Sequence, residues 1–255
     1  MREKHPAIDA EVDPATPIWR YFDLPKFVSF LGNGALWFSR ADLLGDPLEG
    51  SVTRAREAER QRFLANPPEG RSREELKAIF LQNAAMYAQN VKCAYVNCWH
   101  MGDHESMAMW QGYGGGPYGV AIRSTFGGLS DLLPVSFGDV PMGTIFVARV
   151  RYIDYLSETE QISEQYNAFS PFVWKSIAYQ HESEVRALFM DMSGYYQQNS
   201  PTGHFINVDI QKLTDRVTVS PLAPPWFDGI LASICSKFGL QAEIRRSIVY
   251  SDPIY

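Results

Sequence analysis

The chain has 255 residues, 45% of them hydrophobic and 20% charged, with a net charge of −6. That composition suits a soluble globular protein able to bury a substantial core, and the acidic balance argues against an extended phosphate-binding surface. Three cysteines without paired spacing point to a reducing compartment, and no apolar run reaches membrane-spanning length, so a cytoplasmic location without membrane attachment is expected.

Residues 1–17 hold three X-Pro pairs and few large apolar groups and read as an arm. Residues 18–255 read as a single globular domain. Ile18 to Phe22 is a short strand with Arg20 set between aromatics, either a surface residue or an anion clamp. Leu24 to Leu31 carries a helical stripe that Gly32-Asn33-Gly34 ends, and Ala35 to Ser39 is a second strand. Asp46-Pro47-Leu48-Glu49 has the form of a helix start, with Asp46 as cap and Glu49 reaching back. Ser51 to Ala65 is a charged helix. The Ser72/Glu75 pair opens another helix running to about Gln89.

The densest stretch is Cys93 to Thr125. Lys92 to Trp99 alternates as a strand, and Asp103 can cap a short helix that places Ser106, Trp110 and Tyr113 on one face. Gly114 to Gly116 stop that helix, and Tyr118 to Ile122 returns as a strand. Trp110 and Tyr113 serve either as core aromatics or as a wall for a flat ligand.

Further on, Gly127 to Gly143 reads as loop, Thr144 to Ile153 as one strand, Glu158 to Phe169 and Phe172 to Tyr179 as helices, and Glu182 to Met190 as a strand. Asp191 to Gly203 is a turn or hairpin region. Arg216 to Val219 is a strand, Pro225 to Phe238 a helix, and Gln241 to Tyr250 a closing strand. Strands and helices do not alternate regularly, and no glycine-rich phosphate fingerprint follows a strand. The expected class is therefore α+β, with a mainly antiparallel sheet flanked by helices.

Three clusters compete for chemistry. Glu182 and Glu184, two apart on the expected strand, would point the same way, and repulsion could raise one pKa; alternatively one pairs with Arg186 and the other with Lys175 or solvent. Cys98, His100 and His104 have zinc-ligand types but no matching second pair. Asp42, Asp46 and Glu49 could form an oxygen cage, which with His100 would suit a metal-dependent phosphodiesterase. No metal is expected, and nucleic acid is not the favoured partner.

The motifs WRY (Trp19 to Tyr21), LWFSRADLLGDPLEG (Leu36 to Gly50), CWH…ES…MW..Y…GV.I (Cys98 to Ile122), K..AY.HE.EVR (Lys175 to Arg186) and VSP (Val219 to Pro221) resemble an uncharacterised bacterial domain-of-unknown-function family. That resemblance implies a bacterial protein, sometimes near phage-defence genes, with no settled activity. Gly45 and His100 stand where usual members carry Asn and Ser.

The order Arg20, Ser39, Glu182-x-Glu184 also resembles the Arg-Ser-Glu arrangement of ADP-ribosyltransferases. It implies NAD as substrate. Arg20 would anchor the dinucleotide, Ser39 would support the site and Glu184 would stabilise an oxocarbenium ion. Glu182 would orient the acceptor, and Trp110 or Tyr113 would stack on the nicotinamide. The competing expectation is a non-catalytic module whose aromatic pocket holds a nucleotide or peptide.

Overall fold

The computed structural model describes residues 12–157, 159, 167–193, 195 and 200–250. Strand β1 (Pro17–Phe22) sends Ile18 and Phe22 into the main core and Trp19 and Tyr21 to a smaller cluster on its other face. Asp23 then caps helix α1 (Leu24–Asn33) by accepting the Lys26 N–H at 2.8 Å, and Gly34, at φ +57°, ends it. Phe27, Phe30 and Leu31 are its buried face. Strand β2 (Ala35–Arg40) follows.

The next segment departs from expectation. Asp46 opens a turn, its Oδ1 accepting the Leu48 N–H at 2.9 Å, and Glu49 is turned inward instead of capping a helix. Helix α2 (Arg54–Ala65) starts only at the cap Thr53, and α3 (Arg73–Asn90) carries the expected Ser72/Glu75 capping box. After β3 (Ala94–Met101), α4 (Met107–Tyr113) is capped by Ser106 rather than Asp103. Strand β4 (Val120–Thr125) leads into α5 (Phe126–Leu132), a helix inside the stretch read as loop; Thr125 caps it despite the two glycines in its first turn.

The span read as one strand, 144–153, divides into β5 (Phe146–Arg149) and β6 (Arg151–Ile153). The Val150 N–H bonds Glu184 O and the Arg151 N–H bonds Val173 O, each at 2.8 Å, so the chain passes from one sheet to another at this point. The helix expected at 158–169 lies mostly outside the described residues. In place of the helix expected at 172–179 stand β7 (Trp174–Ser176), parallel to β6, and a 3-10 segment, Ile177–Glu182. Strand β8 (Glu184–Met190) therefore begins two residues later than expected. β9 (Gly203–Asn207), α6 (Ile210–Leu213), β10 (Arg216–Val219), α7 (Phe227–Lys237) and β11 (Glu243–Arg246) complete the described chain.

Among the described residues the main sheet has nine strands, ordered β11-β10-β4-β1-β3-β2-β9, with β8 and then β5 joined to β3. Every pairing in it is antiparallel except β10 with β11, the α+β arrangement expected. No described helix is long and apolar enough to cross a membrane.

Register at β3 creates the cleft. β8 ladders along β3 from Ala94 to His100 and so occupies one edge of that strand. The other edge is shared. β2 takes it at Tyr95 and Val96, and β1 takes it at His100 and Met101. Between those contacts, at Asn97, Cys98 and Trp99, the two arms of the sheet separate.

Candidate functional site: the cleft between β1 and β2

Parting two strands strands backbone groups that a continuous ladder would pair. Side chains take over here. Arg20 of β1 donates from Nη1 to Cys98 O at 2.8 Å, and Asn97 Nδ2 donates to Trp37 O of β2 at 2.8 Å. Asn97 Oδ1 in turn accepts the Trp99 indole N–H at 2.7 Å. The parted strands wall a cavity of about 860 Å³, within the ~300–1,000 Å³ usual for small-molecule sites.

Arg20, Ser39, Glu182, Glu184 and Tyr113 all line this cavity, so five of the six expected site residues come together. Trp110 does not join them. It is buried, packs edge-on to Tyr21 at 5.0 Å and donates its indole N–H to Glu105 at 2.7 Å, which is a core role. Helical spacing put it on one face with Tyr113, but three residues carry Tyr113 far enough around α4 to leave it 48% exposed while Trp110 is 4% exposed.

The Arg20 guanidinium is half-buried, lies 5.4 Å from the Phe22 ring and 5.9 Å from the Trp99 ring, and meets no carboxylate among the described residues. Burial lowers its pKa to about 10, so it is still a cation at neutral pH. A cation held on aromatic faces with spare N–H donors toward a cavity is suited to an anionic ligand. Ser39 adds a hydroxyl on the opposite wall, and Trp37 and Phe205, in edge contact at 4.8 Å, form an aromatic corner beside it.

Glu182 and Glu184 approach by a route that strand periodicity could not reveal. Glu182 ends the 3-10 segment, Ser183 takes a left-handed conformation at φ +41°, and Glu184 begins β8. A non-glycine residue is rarely held there, and the turn brings both carboxylates to Lys175. Glu184 Oε2 lies 3.2 Å from Lys175 Nζ, and its Oε1 accepts from Arg186 Nε at 2.8 Å. Glu182 bonds Lys175 through Oε2 and accepts the Tyr113 hydroxyl at 2.6 Å through Oε1. Arg186, fully buried, completes the network with a bidentate pair to Glu49 at 2.6 and 3.0 Å.

These contacts set the protonation states. Burial works against the Glu184 carboxylate, but Arg186 and Lys175 outweigh it and hold the pKa down to about 2. Burial likewise opposes the Lys175 charge and is overcome by Glu184 and Glu182, leaving that ammonium harder to deprotonate than usual. For Glu49 burial prevails over Arg186 and raises its pKa. Burial, with Glu182 as acceptor, also raises Tyr113. Glu184 is therefore a fixed negative charge, unsuited to shuttling protons near neutral pH.

The other candidate clusters are spoken for. Asp42 pairs with Arg40, Asp46 with the Leu48 N–H, Glu49 with Arg186, and His100 with Glu182 O. Among the described residues no three His, Cys, Asp or Glu side chains are grouped to hold a metal ion. Cys98 contacts Glu184, and burial pushes its thiol pKa up, away from nucleophilic use. Sequence reasoning missed the link from Glu49 to Arg186 and the Trp37–Phe205 corner. The first was hidden by a helix-start pattern, and the second depends on β9, a strand not expected.

No family model and no curated protein matches the sequence, so the bacterial family named above stands as a resemblance of motifs. Among solved structures, Thermus sp. 2.9 DarT in complex with NAD+ is 10% identical with a TM-score of 0.39, covering 92% of this chain and 97% of that one. The same protein with carba-NAD+ gives 10% identity and a TM-score of 0.37 over the same shares. With ADP-ribosylated ssDNA it gives 12%, a TM-score of 0.36 and 97% of each chain. At that level of likeness, a functional reading must rest on the cleft itself.

Proposed function

We propose that the chain is an NAD-consuming enzyme that binds the dinucleotide in the β1/β2 cleft and transfers or hydrolyses its ADP-ribose. The observation that carries this reading is the Arg20 cation, free of any described carboxylate, in the same cavity as the ionised Glu184. An anionic ligand that becomes positively charged at one end during reaction needs both.

Arg20 binds the pyrophosphate, and Ser39 and the Trp37–Phe205 corner orient the sugar and base on the far wall. As the nicotinamide–ribose bond breaks, its electron pair leaves with nicotinamide and positive charge grows on the ribose C1′ and ring oxygen. Glu184 faces that charge with a carboxylate already ionised and held in place, so little reorganisation is needed as the charge develops. Lys175, Arg186 and Tyr113 keep the two carboxylates positioned. An oxygen acceptor, water or a hydroxyl, then bonds C1′.

The saturation of both carboxylates by Lys175, Arg186 and Tyr113 also favours a second reading, a nucleotide-binding module in which the acids only brace the fold. Nicotinamide release from NAD separates the two. Wild-type protein should release it, and Glu184→Gln, which leaves Arg186 paired with Glu49, should fold and be slower by roughly 10²–10³-fold. Saturable NAD binding with no release by the wild type would favour the module.

A further inference from the structure

The proposed reaction leaves one task unassigned, since an oxygen acceptor that bonds C1′ must lose a proton. Glu184 is a poor recipient, with Arg186 and Lys175 on its oxygens, and both Glu182 oxygens already accept from Lys175 and Tyr113. His100 is differently placed. It lines the cavity from β3, and its Nδ1 lies 2.7 Å from the backbone oxygen of Glu182. A carbonyl only accepts, so Nδ1 carries the proton and Nε2 keeps its lone pair. That Nε2 has no hydrogen-bond partner among the described residues. A Cβ built on Gly102 would stand 3.2 Å from it, so any larger residue at 102 would crowd this nitrogen.

We infer that His100 is the general base that takes the acceptor's proton in the β1/β2 cleft. This rests on the NAD-consuming reading. The balance is simple: the acceptor oxygen bonds C1′, its proton passes to His100 Nε2 and then to solvent, and nicotinamide leaves with the electrons of the broken C–N bond. Burial lowers the His100 pKa, which keeps the imidazole neutral at physiological pH. The titratable groups around it are Tyr21 of β1, with rings 6.4 Å apart, His181 and Glu182 of the 3-10 segment, and Glu184 opposite it on β8.

Two variants separate base from brace. In His100→Asn the amide N–H can replace Nδ1–H on Glu182 O, but no nitrogen base remains. In His100→Gln the amide reaches the Nε2 position without basicity. His100→Asn should melt with the wild type and both variants should bind NAD as tightly, while nicotinamide release falls by roughly 10²–10⁴-fold. The wild-type rate should fall on acidification, with an apparent pKa below the ordinary histidine value, and neither variant should retain that limb. An active wild type beside a His100→Asn variant within a few-fold of it, with the same acid limb, would overturn the inference and leave the NAD reading intact. A wild type that binds NAD and releases nothing would end both.

Discussion

Along one edge β3 is laddered to β8 from Ala94 to His100, whereas its other edge is divided between β2 and β1 with a gap from Asn97 to Trp99. The laddered edge is closed, every residue of β8 being buried, and Arg186 is locked there among Glu49, Glu184 and Phe172 O. The divided edge is open, and its polar groups are met by the single side chains Arg20 and Asn97. One strand thus fixes charges on one side and offers them to a ligand on the other. The closed edge should carry stability and hold Glu184 at the cavity, and the open edge should carry binding.

The sharpest way to break this contrast is Arg186→Met, which leaves Glu49 buried without its cation and Glu184 with Lys175 alone. A loss of about 3–5 kcal/mol in urea unfolding is expected, and a loss under about 1 kcal/mol, the size of a surface pair, would show that the closed edge does not depend on its charges. The same edge has a pH signature. A carboxylate near 2 in the fold and about 4.3 when unfolded adds stability that is complete above the unfolded value and drains away as pH falls toward 2. Glu49, raised by burial, acts with the opposite sign, so the measurement compares wild type with Glu184→Gln, which share Glu49. The acid loss should be smaller in the variant.

At the gap, Asn97→Leu should cost about 1–3 kcal/mol by leaving the Trp99 N–H and Trp37 O unpaired. Thermal unfolding checks this, and no change would mean the strands are held apart by other means. Tyr113→Phe should have the smallest effect, at most about 1 kcal/mol, because its hydroxyl donates to Glu182 from a half-exposed ring and Lys175 remains as partner.

Local chemistry was legible wherever it decided the outcome. The Ser72/Glu75 box, the Gly34 stop and the strand Arg216–Val219 follow from caps, glycine and β-branched residues. The Arg, Ser and Glu of the cleft were legible as types in order. What the sequence hid was non-local. Whether Asp46-Pro-Leu-Glu makes a helix depends on Glu49 finding Arg186, 137 residues away. The strand at 144–153 breaks because Val150 and Arg151 find different partners. Glu182 and Glu184 converge through a left-handed Ser183, not through the two-residue period of a strand.

Calorimetric titration of NAD into the wild type and into Arg20→Ala tests the central claim most directly, since Arg20 is the cation the cleft leaves without a described counter-charge. The account predicts one saturable site in the wild type, weakened roughly 10- to 100-fold in the variant by loss of charged hydrogen bonds. Equal affinity in the two proteins, or none in the wild type, would contradict it.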